Sequence, residues 1–245
     1  MRRKSEGEAH QTNGNHAAEL YTISTRRAFT MSYGIHELRQ IRGVLFDLDG
    51  TLLDSFSSHY EAYERTFARF GIQMSREKFL SSYSPDWYQT YEAMGLPRET
   101  WAAANDYWLE EAAKRDPDLL PGVKETLAEL CKGYALGLVT SGSRSRVTRD
   151  LERTGLGPLF RIVVTGDDVQ RPKPSPDGLV MALGELAMDP GEAVYIGDAL
   201  ADYEMARAAD VGFLCVVSEF TASHSDHSFT RMQSISDLLG LLKSV

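Results

Sequence analysis

Val44-Leu45-Phe46-Asp47-Leu48-Asp49-Gly50-Thr51 is the stretch on which the reading of this chain turns. Three apolar residues, the first of them β-branched, run straight into an acid. That is the pattern of a buried parallel strand delivering a polar side chain at its carboxyl end, where open α/β sheets bind ligands. Asp47 and Asp49 leave the strand together and Gly50 permits a sharp turn after them, so both carboxylates can face one small volume. Two close acids repel unless a cation, a shared proton or a phosphate-bound metal lies between them. Alone, an acid-x-acid-glycine turn is ordinary turn chemistry. The apolar run before it and three polar signals downstream set this one apart.

The 245 residues, 42% of them hydrophobic, suffice for one large or two modest cores. A formal net charge of -9 argues against a surface for nucleic acid or anionic membrane. An acidic protein that handles an anion must concentrate positive charge in a metal or in a few chosen Lys and Arg residues. Cys131 and Cys215 lie far apart in apolar surroundings and read as buried thiols of a reducing compartment. The basic Met1-Arg2-Arg3-Lys4 has no apolar core after it, so it is not a secretory signal, and no apolar run is long enough to span a bilayer. The chain reads as cytoplasmic, with neither nucleic acid nor membrane as partner.

Residues 1–36 are polar and without period, which predicts a poorly ordered leader, within which Met31 is a conceivable start. From Ser55 to Leu120 the pattern is helical. Tyr60, Tyr63, Phe67 and Phe70 form one stripe before Gly71, and Trp101, Ala104, Trp108 and Ala112 form another after Pro97. Stripes of this kind pack a core, so residues 55–120 read as a helical cap inserted after the acid turn. Around it, residues 37–54 and 121–245 alternate strand and helix. Strands are expected at about 43–47, 134–139, 160–164, 193–196 and 212–217, with a closing helix at about 236–243. The fold class is therefore α/β: a Rossmann-like parallel sheet of five or more strands, helices on both faces, and an inserted helical cap.

Polar signals follow four of these strands. Strand two ends in Thr140-Ser141, hydroxyls beside free amides at a helix start, which suits an anion and equally suits an ordinary cap. Lys173 sits between Pro172 and Pro174 after strand three, and Ser175 with Pro176 would open the next helix. Strand four ends in Gly197-Asp198-Ala199-Leu200-Ala201-Asp202, with two acids one helical turn apart. Parallel strands share one carboxyl edge, so these signals should converge there on a hard-cation site of oxygen ligands beside a phosphate-sized anion site.

These four segments, in this order, resemble the motifs of the haloacid dehalogenase-like superfamily. The resemblance covers roughly residues 42–217, and a cap between the first and second motifs is similar to that of phosphoglycolate phosphatase and β-phosphoglucomutase relatives. It implies a Mg2+-dependent phosphatase acting on a small phosphorylated metabolite through an aspartyl-phosphate. In that reading Asp47 is the nucleophile, and Asp49 is general acid and then base, a role requiring a pKa above that of a free Asp. Thr140, Ser141 and Lys173 bind phosphate, with the Gly142 amide as helper. The Asp47 carboxylate, the Asp49 backbone carbonyl and Asp198 hold Mg2+, with Asp202 behind them or acting through water.

Alternatives are a sugar phosphomutase of the same fold, a dehalogenase, or a non-catalytic sensor of a phosphorylated metabolite. His59 resembles a position seen in the mutases, whereas Thr51 after Gly50 leans toward phosphatases. The segment Ser82-Tyr83-Ser84-Pro85-Asp86-Trp87-Tyr88 is either a selectivity loop or a connection packed by Trp87. The assembly is expected to be a monomer or homodimer.

Overall fold

The computed structural model describes residues 40–84, 86–218 and 229–242. The leader expected over 1–36 lies outside the described residues. Six strands form one sheet: β1 (Gly43–Phe46), β2 (Ala135–Val139), β3 (Ile162–Val164), β4 (Ala193–Gly197), β5 (Gly212–Val216) and β6 (Thr230–Met232). Their order is β3-β2-β1-β4-β5-β6 and every pairing is parallel. This is a doubly wound arrangement in which the chain works outward from β1 in both directions, which opens a crevice at the carboxyl ends beside β1. The first five strands lie where the apolar runs predict them. The sixth is a three-residue edge strand, too short for any period to reveal.

Strand residues alternate between two cores. Val44 and Phe46 face one side with Leu136, Leu138, Val194 and Ile196, covered by α5 (Val123–Leu130), α6 (Arg144–Thr154) and α9 (Asp237–Leu242). Leu45 and Tyr195 face the other, under α7 (Asp177–Leu186) and α8 (Leu200–Ala208). Burial on both faces explains why these strands are continuously apolar in sequence. Helix α7 starts one residue later than Pro176 suggests, and the Ser175 hydroxyl donates to Asp177 Oδ1 at 2.8 Å instead of capping the backbone. Cys215 is buried, but Cys131 is exposed, which corrects the reading of two buried thiols. Residue 131 follows the last turn of α5, whose inward face is made by Val123, Leu127 and Leu130.

Between β1 and α5 the chain forms α1 (Phe56–Arg69), α2 (Arg76–Ser82), α3 (Trp87–Met94) and α4 (Trp101–Ala112), here called the cap. Phe67, Phe79, Tyr91 and Ala104 are among its fully enclosed residues, and α1 packs against α4. The two chain passages joining cap and sheet run side by side. Asp54 N donates to Asp118 O at 2.8 Å and Leu120 N to Leu52 O at 2.9 Å. Among the described residues no helix is long and apolar enough to cross a membrane.

Candidate active site

The carboxyl ends of β1, β2 and β4 and the turn after β3 meet at one cavity of about 460 Å3, roofed by the cap. Asp47 follows β1 directly, and its amide donates to Ile196 O of β4 at 2.8 Å, which fixes where the side chain leaves the sheet. Lys173 Nζ donates to Asp47 Oδ1 at 2.6 Å and to Asp202 Oδ1 at 2.7 Å, and all three groups are buried. Asp202 is fully engaged. Its Oδ1 also accepts from the Tyr195 hydroxyl at 3.2 Å, and its Oδ2 accepts from the amides of Asp198 at 3.2 Å and Ala199 at 3.0 Å. Asp198 Oδ2 accepts from the Ser218 hydroxyl at 2.6 Å.

Gly50 shows how tight this corner is. Its φ is +74°, and a Cβ there would collide with the Asp198 carboxylate. Only glycine fits on both counts.

Charge crowding follows from the burial. Desolvation pushes Asp47 up to about 7; Lys173 opposes this, but Asp202 and Asp49 add to it. Asp198 is raised well above a normal carboxyl for the same reasons, burial first and then Asp202 and Asp47. Burial disfavours the Lys173 ammonium, yet the carboxylates of Asp202 and Asp47 outweigh it and hold the proton on.

Oxygens of Asp47, Asp198 and Asp202 lie within 4.8 Å of one another. This is a set of hard donors with surplus negative charge, so a small divalent cation fits it by donor chemistry and by charge. Because all the acceptor sites of Asp202 are directed at internal donors, it is better placed to orient the other two than to bind an ion itself.

Thr140 and Ser141 leave β2 on the opposite side of Asp47. Thr140 Oγ1 accepts from the Gly142 amide at 3.2 Å, whereas the buried Ser141 hydroxyl has no partner among the described residues and borders the cavity. An anion oxygen there would satisfy it.

Asp49 behaves differently from expectation. Its carboxylate is gripped by Arg146, with Nη1 at 3.1 Å from Oδ1 and Nη2 on Oδ2, and His59 Nε2 lies 3.7 Å away. Although burial opposes it, Arg146 and His59 hold Asp49 well below the ordinary carboxylate range. The raised pKa expected for this residue is thus overturned, and the cause is an arginine that the sequence reading did not single out.

A family model described as haloacid dehalogenase-like hydrolase matches residues 44–216. The pyrophosphatase PpaX of Bacillus pumilus is 37% identical over 175 residues, 69% of this chain and 80% of that protein. The chain belongs to the haloacid dehalogenase-like hydrolase family. The phosphoglycolate phosphatase of Yersinia pestis is 30% identical over 187 residues, covering 71% of this chain and 79% of that one. Among solved structures, CbbY of Rhodobacter sphaeroides, in complex with phosphate, is similar at 25% identity with a TM-score of 0.70, over 83% of this chain and 99% of that one. A haloacid dehalogenase-like family hydrolase of Streptococcus pneumoniae shares the fold at 21% identity, TM-score 0.70, over 82% and 98% of the two chains.

In this member of the family, all the residues singled out in the four motifs border one cavity: Asp47, Asp49, Thr140, Ser141, Lys173, Asp198 and Asp202. Three contributors were not anticipated. Tyr195 lies mid-strand, where a tyrosine reads as core; it is core, but its hydroxyl also donates to Val139 O at 2.8 Å and reaches Asp202. Ser218 lies just past residue 217, where the resemblance to the family motifs ends. Arg146 belongs to α6 and stands four residues before Asp150, to which its Nη1 also donates at 3.3 Å. That i, i+4 pair of opposite charges was the signal available in the sequence.

Proposed function

We propose that this hydrolase is a Mg2+-dependent phosphatase that cleaves a small-molecule phosphate monoester through a phosphoenzyme on Asp47. The observation that carries the reading is the buried Asp47 carboxylate, held 2.6 Å from the Lys173 ammonium at the mouth of β1 in the cavity that Ser141, whose hydroxyl has no partner among the described residues, also borders. A carboxylate nucleophile divides one hard phosphoryl transfer into two easier ones. The Asp47 and Asp198 carboxylates and the Asp49 backbone carbonyl would hold Mg2+, with Asp202 orienting them. When bound, the ion supplies neutralisation of charge on the phosphoryl oxygens.

Thr140, Ser141 and Lys173 position the phosphate. The Asp47 oxygen forms a bond to phosphorus as the ester oxygen departs, and that oxygen takes a proton from Asp49. Water then attacks phosphorus, gives a proton back to Asp49, and frees Asp47 and inorganic phosphate. In its Arg146-bound form Asp49 is a base, so the acid step requires that pair to loosen.

The test is Asp47→Asn. Turnover of phosphate esters with Mg2+ falls at least about 10⁴-fold, while circular dichroism and the melting temperature stay near those of the parent. Retained turnover would remove Asp47 as nucleophile.

A further inference from the structure

The cap side of the cavity carries information about the leaving group that the four motifs do not. It is walled by the rings of Tyr83, Trp87, Trp108 and His59, with half-exposed Tyr88 at the rim. These rings brace one another. The His59 and Trp108 centroids are 5.5 Å apart, and Trp87 stacks on Tyr88 at 3.7 Å. The buried Trp108 Nε1 finds no acceptor among the described residues, although tryptophan N–H groups taken out of water nearly always have one. Asn105, one turn earlier on the same helix, borders the same space.

Charge points the same way. Six acids line the cavity, Asp47, Asp49, Asp86, Asp167, Asp198 and Asp202, against two cations among the described lining residues, Lys173 and Arg146. Lys173 is shared between Asp47 and Asp202, and Arg146 between Asp49 and Asp150. The Arg146 guanidinium lies close over Gly142, in space that a Cβ at 142 would share. The acids outside the proposed Mg2+ and phosphate site are Asp86 and Asp167, and no lysine or arginine among the described lining residues is left unpaired to meet a second anionic group of the substrate. A cavity of about 460 Å3 with aromatic walls and a few polar atoms is of the kind that encloses a ring-bearing ligand.

We propose that the substrate is a phosphate ester whose alcohol carries a flat, uncharged heterocycle bearing a carbonyl acceptor, as in a pyrimidine nucleoside monophosphate, where the nucleoside departs through its 5′ oxygen. The ring lies among Trp87, Tyr83 and Trp108, and Trp108 Nε1 donates to it. The proposal rests on the phosphatase reading and narrows it, away from the small anionic leaving groups suggested by the names of the relatives.

The test measures kcat/KM with Mg2+ for uridine 5′-monophosphate, glycerol phosphate, phosphoglycolate and pyrophosphate. Uridine 5′-monophosphate is expected to exceed phosphoglycolate and pyrophosphate by at least about tenfold, the scale of one base stacked on an aromatic ring. Trp108→Phe keeps a ring and removes the N–H, and should lower the ratio of uridine 5′-monophosphate to glycerol phosphate about fivefold, mostly through KM. All three tryptophans, 87, 101 and 108, lie in the cap. Asp47→Asn protein should accordingly show tryptophan quenching on titration with uridine 5′-monophosphate. Preference for phosphoglycolate or pyrophosphate overturns the substrate class and leaves the phosphatase standing. Quenching without turnover of any ester by the parent protein removes the phosphatase and supports the ring pocket. Absence of both overturns the two together.

Discussion

On the sheet side of the cavity each oxygen of Asp202 has two donors, and Lys173 is clasped by two carboxylates. On the cap side the surfaces are rings held by other rings, and an indole N–H has no acceptor among the described residues. The first wall is fixed by polar satisfaction, where a shift of an ångström would strand a buried charge. The second is fixed by shape, and apolar packing tolerates volume-conserving change. The difference assigns separate jobs. On the proposed function the sheet side would set the chemistry, through groups held in place by buried polar contacts, and the cap side would set the choice of leaving group.

Lys173→Met probes the first wall with the largest expected effect. The methionine fills similar space but leaves Asp47 and Asp202 buried and facing each other. Breaking a buried pair in this way should cost about 3–5 kcal/mol in denaturant unfolding, unless the acids take up protons. Turnover should fall by roughly 10²-fold or more, since a charge aimed at the phosphoryl group is lost. Equal activity in parent and variant would break the division between the two walls.

Phe79→Ala probes the second wall. Phe79 is fully buried in the cap and its ring touches those of Phe56, Tyr60, Tyr63 and Tyr83, the Tyr83 contact at 5.5 Å between centroids. Its truncation should cost about 3–5 kcal/mol. Because the lost support lies under Tyr83 and away from Asp47, KM should rise while kcat changes little, the signature of weakened uniform binding. A collapse of kcat with unchanged KM would show that the cap reaches into the chemical step.

The sheet side was far more legible than the cap side, and the reason is physical. Asp47, Thr140 and Asp198 each end an apolar run, and a polar residue closing a buried strand can point to only one edge. Lys173 needed only the parallel topology to bring it there. Tyr195 and Arg146 escaped because their roles depend on partners brought close by the tertiary fold. Tyr195 is flanked by Val194 and Ile196 like any core residue, and the decisive contact of Arg146 is with an acid 97 positions away. For that reason the direction of the Asp49 shift was misread. The raised value was what the general-acid role implied by the family resemblance requires, and a guanidinium from a distant helix reverses the sign. In the cap, periodicity placed Tyr63, Phe67 and Ala104 inward, but a stripe cannot say which ring edges open onto a cavity.

His59 stands where the two walls join, near Asp49 from the sheet side and Trp108 from the cap side, and its titration reports whether they stay joined. Burial pushes its pKa down to about 4, with Asp49 opposing and Arg146 assisting. In the unfolded chain a histidine titrates near 6.5, so as pH falls from 6.5 toward 4 the unfolded state takes up a proton that the folded state refuses. Stability contributed by this group is thus present above the unfolded pKa and drains away on acidification, by about 2 kcal/mol between pH 7 and pH 5. His59→Gln has nothing to titrate, so its unfolding free energy should fall less over that interval, the difference from the parent being read by urea denaturation at both pH values. Parallel losses in the two proteins would mean that His59 titrates at its ordinary value, and hence that cap and sheet part often enough in solution for water to reach it.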